Sequence, residues 1–106
     1  MLERYAPPSI LVGPDDKLVH LSDHGGKYLV LPGGTVTSSV VKLVREELRI
    51  ELQSILQQAR DKREPLDSRP IPVRFNGHPV LVTMHVRPAR EMEQEGFVLV
   101  IFTEHT

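Results

Sequence analysis

The chain has 106 residues, 13 Lys and Arg against 14 Asp and Glu, a formal net charge of -1 and no cysteine. That length suits one domain; the balanced charge offers no basic field for a nucleic acid backbone, and the missing thiols exclude disulfides, cysteine nucleophiles and cysteine-ligated metal sites. No apolar run approaches the ~20 residues of a membrane-spanning helix, and Met1-Leu2-Glu3-Arg4-Tyr5 has the pattern of neither a signal nor a transit peptide, so no membrane partner is expected and the cytoplasm is the expected location.

Residues 1–8 read as a lead-in, because Pro7-Pro8 stops any incoming helix, and a single domain is expected over 9–104. Ile10-Leu11-Val12 and Leu18-Val19-His20-Leu21 are short apolar runs on either side of Gly13-Pro14-Asp15-Asp16, a pattern that predicts a β-hairpin. From 22 to 39 the glycines at 25, 26, 33 and 34 break the backbone around Tyr28-Leu29-Val30-Leu31, which predicts loop with one or two short helical turns. Thr37, Ser38 and Ser39 are candidate helix caps. Leu48, Leu52, Ile55, Leu56 and Ala59 then recur at helical spacing and form one apolar stripe. Val41 and Val44 extend it upstream on a separate short helix, and Pro65 closes the element. The charged residues of 45–62 fall mostly on the other face and read as solvated surface.

At Ile71 the period changes to two. Ile71, Val73 and Phe75 alternate with Pro72 and Arg74, Asn76-Gly77 is a strong hairpin turn, and Val80, Val82, Met84 and Val86 alternate with Leu81, Thr83, His85 and Arg87. A two-residue turn pairs Phe75 with His78, Val73 with Val80 and Ile71 with Val82, so register and hydrophobic pattern agree. After a polar loop from Pro88 to Gly96, Phe97-Val98-Leu99-Val100-Ile101-Phe102 is apolar on both faces and is expected at the centre of the sheet. The order β-β, helices, β-β-β predicts an α+β fold, a five-stranded antiparallel sheet with helices packed on one face. The two-faced strands leave Leu11, Leu81, Leu99 and Ile101 as candidates for a second apolar surface, to be covered by a second copy, a neighbouring domain or an N-terminal helix.

This layout resembles a PAS domain over nearly the whole chain. Glu3-Arg4-Tyr5-Ala6-Pro7-Pro8-Ser9-Ile10-Leu11-Val12, Gly26-Lys27-Tyr28-Leu29, the run from Leu43 to Leu52 and Val82-Thr83-Met84-His85-Val86-Arg87-Pro88 are similar to the PAS domain of chemotaxis-type methylesterase–methyltransferase fusion proteins. Pro14, which stiffens the first turn, departs from that pattern. The resemblance implies a sensory module from a larger two-component or chemotaxis-type protein, whose parent is a methyltransferase or histidine kinase. It also implies a ligand position between Tyr28, Val36, Val44, Leu48 and Leu52 on the helical side and Val73, Phe75, Val82 and Met84 on the sheet. An unidentified small molecule and a ligand-free packed core are the two readings of that position.

Chemistry-bearing motifs are weak. Flavin photochemistry of the cysteine type has no thiol, and no His lies between Val40 and Glu64 to ligate a haem. His20 and His24 are four apart but fall on a strand and beyond a turn; His78 and His85 point to opposite faces of one strand. Gly25-Gly26-Lys27 fails as a phosphate loop at Leu21 and at Tyr28. No catalytic residue, metal site or resident cofactor is expected, and the chain reads as no enzyme by itself. Three functions compete: a relay module acting by dimerisation or docking, a small-molecule sensor, and a purely structural linker.

Overall fold

The hairpin around residue 77 pairs as its sequence dictates, residue for residue. In the computed structural model, which describes residues 8–22, 28–29, 39–75, 77–88 and 96–105, β4 (Ile71–Phe75) lies antiparallel to β5 (His78–Pro88) with Ile71 opposite Val82, Val73 opposite Val80 and Phe75 opposite His78. Gly77 has φ 84°, the left-handed conformation such a turn demands. The other elements are β1 (Ser9–Val12), β2 (Leu18–Leu21), α1 (Val40–Leu43), α2 (Glu46–Lys62), β3 (Leu66–Asp67) and β6 (Val98–His105). The antiparallel sheet runs β2-β1-β6-β5, with β3 and β4 sharing the far edge of β5.

The last strand is central, between β1 and β5, as its two-faced sequence predicts. It starts at Val98 and runs three residues beyond the predicted end. Thr103, Glu104 and His105 interrupt the apolar run, but the ladder continues until His105 stands opposite Leu81, because pairing on a long β5 outweighs side-chain polarity.

β3 is an element the sequence pattern did not predict. Between Asp67 opposite His85 and Ile71 opposite Val82, residues 68–70 span only two positions of β5, so the edge carries one extra residue, a bulge. Ser68 is buried there and bridges the interruption. Its N–H donates to the Met84 carbonyl (2.8 Å), and its hydroxyl accepts the Met84 N–H (2.9 Å) while donating to the Arg69 carbonyl (2.8 Å). A side-chain oxygen thus takes the place of a ladder acceptor for the Met84 N–H.

Leu48, Leu52, Ile55, Leu56 and Ala59 of α2 are all buried, as the stripe predicts. They face Ile10, Val12, Ile71, Val73, Val82, Met84, Val86, Val98, Val100 and Phe102, the inner side of the sheet. Full burial of each such leucine is worth ~1.5–3 kcal/mol. The upstream expectation needs correction. α1 buries Val40 and Leu43, Val41 is only half-buried, and Val44 is buried in extended backbone between the two helices. Ser39 flanks α1 without a side-chain cap bond to it, while Thr37 and Ser38 lie outside the described residues. α2 follows Arg45, which makes no side-chain cap bond to it, and carries Glu46 and Glu47 in its first turn, where the helix dipole favours them. It stops at Lys62, short of the end expected at Pro65, because Arg63 turns left-handed (φ 54°).

The first hairpin is locked from below by α2. Arg60 pairs with the Asp16 carboxylate and donates from its other terminal nitrogen to the Gly13 carbonyl (2.7 Å). Gly96, at φ 87°, packs against the same turn: a Cβ there would stand 2.6 Å from the Pro14 Cβ. The departure at Pro14 therefore stiffens a turn that Arg60 and Gly96 already hold.

Candidate functional sites on the two sheet faces

The inner position brings together the predicted helix–sheet residues. Tyr28, Val44, Leu48, Leu52, Val73, Val82 and Met84 are buried, and Phe75 is half-buried; Val36 lies outside the described residues. The position is furnished with an aromatic ring from the chain itself. Tyr28 stacks on Phe102 at 4.4 Å and 12° and meets Phe75 edge-on at 5.7 Å. Its hydroxyl donates to Glu104 at 2.5 Å. Burial, with the hydrogen bond and charge of Glu104, pushes the Tyr28 phenol far above its ordinary range, so it remains a neutral donor. The Tyr28 carbonyl accepts the Arg45 N–H (2.9 Å), and Leu29 bridges to Val44, which fixes the segment at the junction of the two helices. Arg45 stands over the Phe75 ring at 4.5 Å.

Phe102, Glu104 and Arg45 are site residues that the sequence reading missed. Strand parity could have found the first two, since 100, 102 and 104 share the inner face once β6 is extended. Arg45 had no local signal.

The outer face carries the four interface candidates in adjacent rows. Leu11 stands beside Leu99, Ile101 beside His85 and Leu81 beside His105. Leu81 and Leu99 are 42% and 37% exposed, and Leu11 and Ile101 are half-buried. Between the apolar side chains runs a polar chain that crosses three strands. His85 Nδ1 bonds Asp67 Oδ1 at 2.9 Å, His85 Nε2 bonds Thr103 Oγ1 at 2.9 Å, and Arg87 donates to the same Asp67 oxygen at 3.0 Å. Thr83 Oγ1 and His105 Nε2 are 2.9 Å apart one row on. The His85 bond, then the Arg87 bond, hold the Asp67 carboxyl below its usual range.

The order Asp, His, Thr is that of a hydrolase relay, but here it lies on the open face of a sheet. That chemistry needs preorganised donors around an enclosed reacting atom, and the described residues provide no such cradle. Among the described residues no three His, Asp or Glu side chains converge as a metal cluster. A groove of 200 Å³ beside α2, lined by Asp16, Gln53, Leu56, Gln57, Arg60 and Asp61, is below the ~300 Å³ of ordinary ligand sites. Its guanidinium already serves the first hairpin.

No protein-family model and no curated protein matches the chain. Solved structures do. A sensory box sensor histidine kinase from Vibrio cholerae superposes with a TM-score of 0.69 at 14% identity, over 99% of this chain and 86% of that one. The wild-type PAS-B domain of Drosophila melanogaster Cycle, with bound ethylene glycol, superposes with a TM-score of 0.63 at 9% identity, over 92% of this chain and 99% of that one. A variant of the same domain with bound glycerol gives the same figures. The chain has the PAS fold. In PAS terms, β1 and β2 form the opening hairpin, α2 is the long helix, and the edge made by β3 and β4, with β5 and β6, forms the closing three-stranded part of the sheet. Among the described residues no helix is long and apolar enough to cross a membrane.

Proposed function

We propose that this PAS domain is a signal-relay module that works by self-association through the outer face of its sheet. The observation that carries the reading is the set Leu11, Leu81, Leu99 and Ile101 on that face, where a solvated sheet would alternate to polar side chains. The charges beside it, Asp67 and Arg87, cancel, so a second copy meets no like-charge field at neutral pH. The similar fold of a Vibrio cholerae sensor histidine kinase supports a place in a signalling protein. The sequence resemblance supports a parent of the chemotaxis methylesterase–methyltransferase type, a cytoplasmic location, and a relay without catalysis of its own. The test is sedimentation equilibrium of the domain and of Leu99→Glu. A dimer that becomes a folded monomer on substitution supports the reading. A wild-type monomer contradicts it and directs attention to docking on a neighbouring domain.

A second reading, a small-molecule sensor, draws on the polyols bound in the Drosophila PAS-B structures. In this chain Glu104 is the polar group at the inner position and Tyr28 is the ring already there. Titrating glycerol into labelled protein tests it: shifts confined to Tyr28, Phe75, Phe102 and Glu104 support it, and their absence contradicts it.

A further inference from the structure

We propose that self-association through the outer face is controlled by a proton on His85: the dimer forms with the imidazole neutral and dissociates as it becomes charged. The inference rests on the outer-face reading above and adds its regulation. Its basis is the hydrogen-bonded chain Arg87–Asp67–His85–Thr103 lying between Leu11, Leu99 and Ile101 on one side and Leu81 on the other.

The carboxylate of Asp67 only accepts, so His85 donates to it from Nδ1. In the neutral ring Nε2 is then an acceptor, and the Thr103 hydroxyl donates to it. Donor meets acceptor at each link from Arg87 to Thr103, and Arg87 cancels Asp67, so the cluster carries no net charge. Protonation at Nε2 preserves the contacts, because Thr103 turns from donor to acceptor. It leaves one uncompensated positive charge on each copy. Covering the face removes water from that charge and brings the other copy's charge to the same interface.

The groups around His85 set this sign. β3 presents Asp67, β5 presents Arg87 and Thr83, and β6 presents Ile101, Thr103 and, two residues on, His105. β1 presents Ser9 and Leu11, neither charged, and His20 of β2 lies beyond Leu11. Arg74, on the β4 edge, sits near Glu47 of α2 rather than near the cluster. The associated state therefore binds fewer protons than the free one, and linkage makes association stronger as pH rises and weaker as it falls. An acidic partner would show the opposite trend.

The experiment is sedimentation equilibrium at pH 7.5 and 5.5 on the wild type, on His85→Gln and on a double variant His20→Gln/His105→Gln. The wild-type dissociation constant is expected to rise about tenfold or more at the lower pH, since two copies each take up a proton. His85→Gln should hold it within about twofold, while the double variant keeps the wild-type dependence. Dilution calorimetry of the wild type near pH 6.5, in two buffers of different ionisation enthalpy, reads the same linkage without a substitution: proton uptake on dissociation is expected. A dimer whose affinity ignores pH, tightens in acid, or keeps its dependence in His85→Gln overturns the proton control and leaves the outer-face reading standing. Dilution without proton uptake does the same. A monomer at both pH values overturns both.

Discussion

The two faces of one sheet solve different problems with the same strands. On β5 and β6 the inner residues Val82, Met84, Val86, Val98, Val100 and Phe102 are buried and apolar against α2. Their alternating neighbours on the outer face, Leu81, Thr83, His85, Arg87, Leu99, Ile101, Thr103 and His105, mix exposed apolar groups with a hydrogen-bonded polar chain. The inner face carries a strong polar interaction, Tyr28 to Glu104, at its end. The outer face admits several and keeps large apolar groups in water beside them. The inner face holds the fold, and the outer face is the surface that the proposed self-association would use.

That contrast is breakable by substitution. Phe102→Ala removes the ring under Tyr28 and leaves a cavity in the core; chemical denaturation should show a loss of about 3–5 kcal/mol. Gly96→Ala drives a methyl into Pro14 and forces a side chain into positive φ, and the same measurement should show a loss of about 1–3 kcal/mol. Tyr28→Phe keeps the ring stack and deletes only the bond to Glu104, which sharpens the division between packing and polarity: about 0.5–1.5 kcal/mol should be lost. Leu99→Ala, on the other face, should change the stability of the monomer by no more than about 0.5 kcal/mol. A further small effect is electrostatic. Asp67 has a lowered folded-state pKa, so its contribution is present above the ordinary carboxylate range and disappears as pH falls through the folded value. Its exposed position limits that contribution to under about 1 kcal/mol. Asp67→Asn should therefore flatten the acid limb of a stability–pH curve slightly and leave the inner core untouched.

Local patterns carried much of this molecule. Two-residue periodicity and a glycine turn were enough to align Ile71 with Val82, and the helical stripe of α2 named its five buried residues. The two-faced run from 97 to 102 marked a central strand. What the sequence hid depends on distant register. Asp67 lies on a two-residue strand with no periodicity to read, and Thr103 lies beyond the apolar run that marked β6. The chain through His85 is legible only once β3, β5 and β6 stand side by side. The same holds for Tyr28 and Glu104, 76 residues apart. Ser39 shows the opposite failure: a good capping residue in the right place makes no side-chain cap bond to α1, whose short backbone is fixed by its bridge and packing instead.

The central claim, that the outer face is the meeting surface, is tested most directly by methyl NMR on the selectively labelled domain over a dilution series. The account predicts concentration-dependent shifts for Leu11, Leu81, Leu99 and Ile101, with Leu48, Leu52 and Leu56 on the inner side unmoved. Shifts confined to the α2 leucines, or none at any concentration, would contradict it.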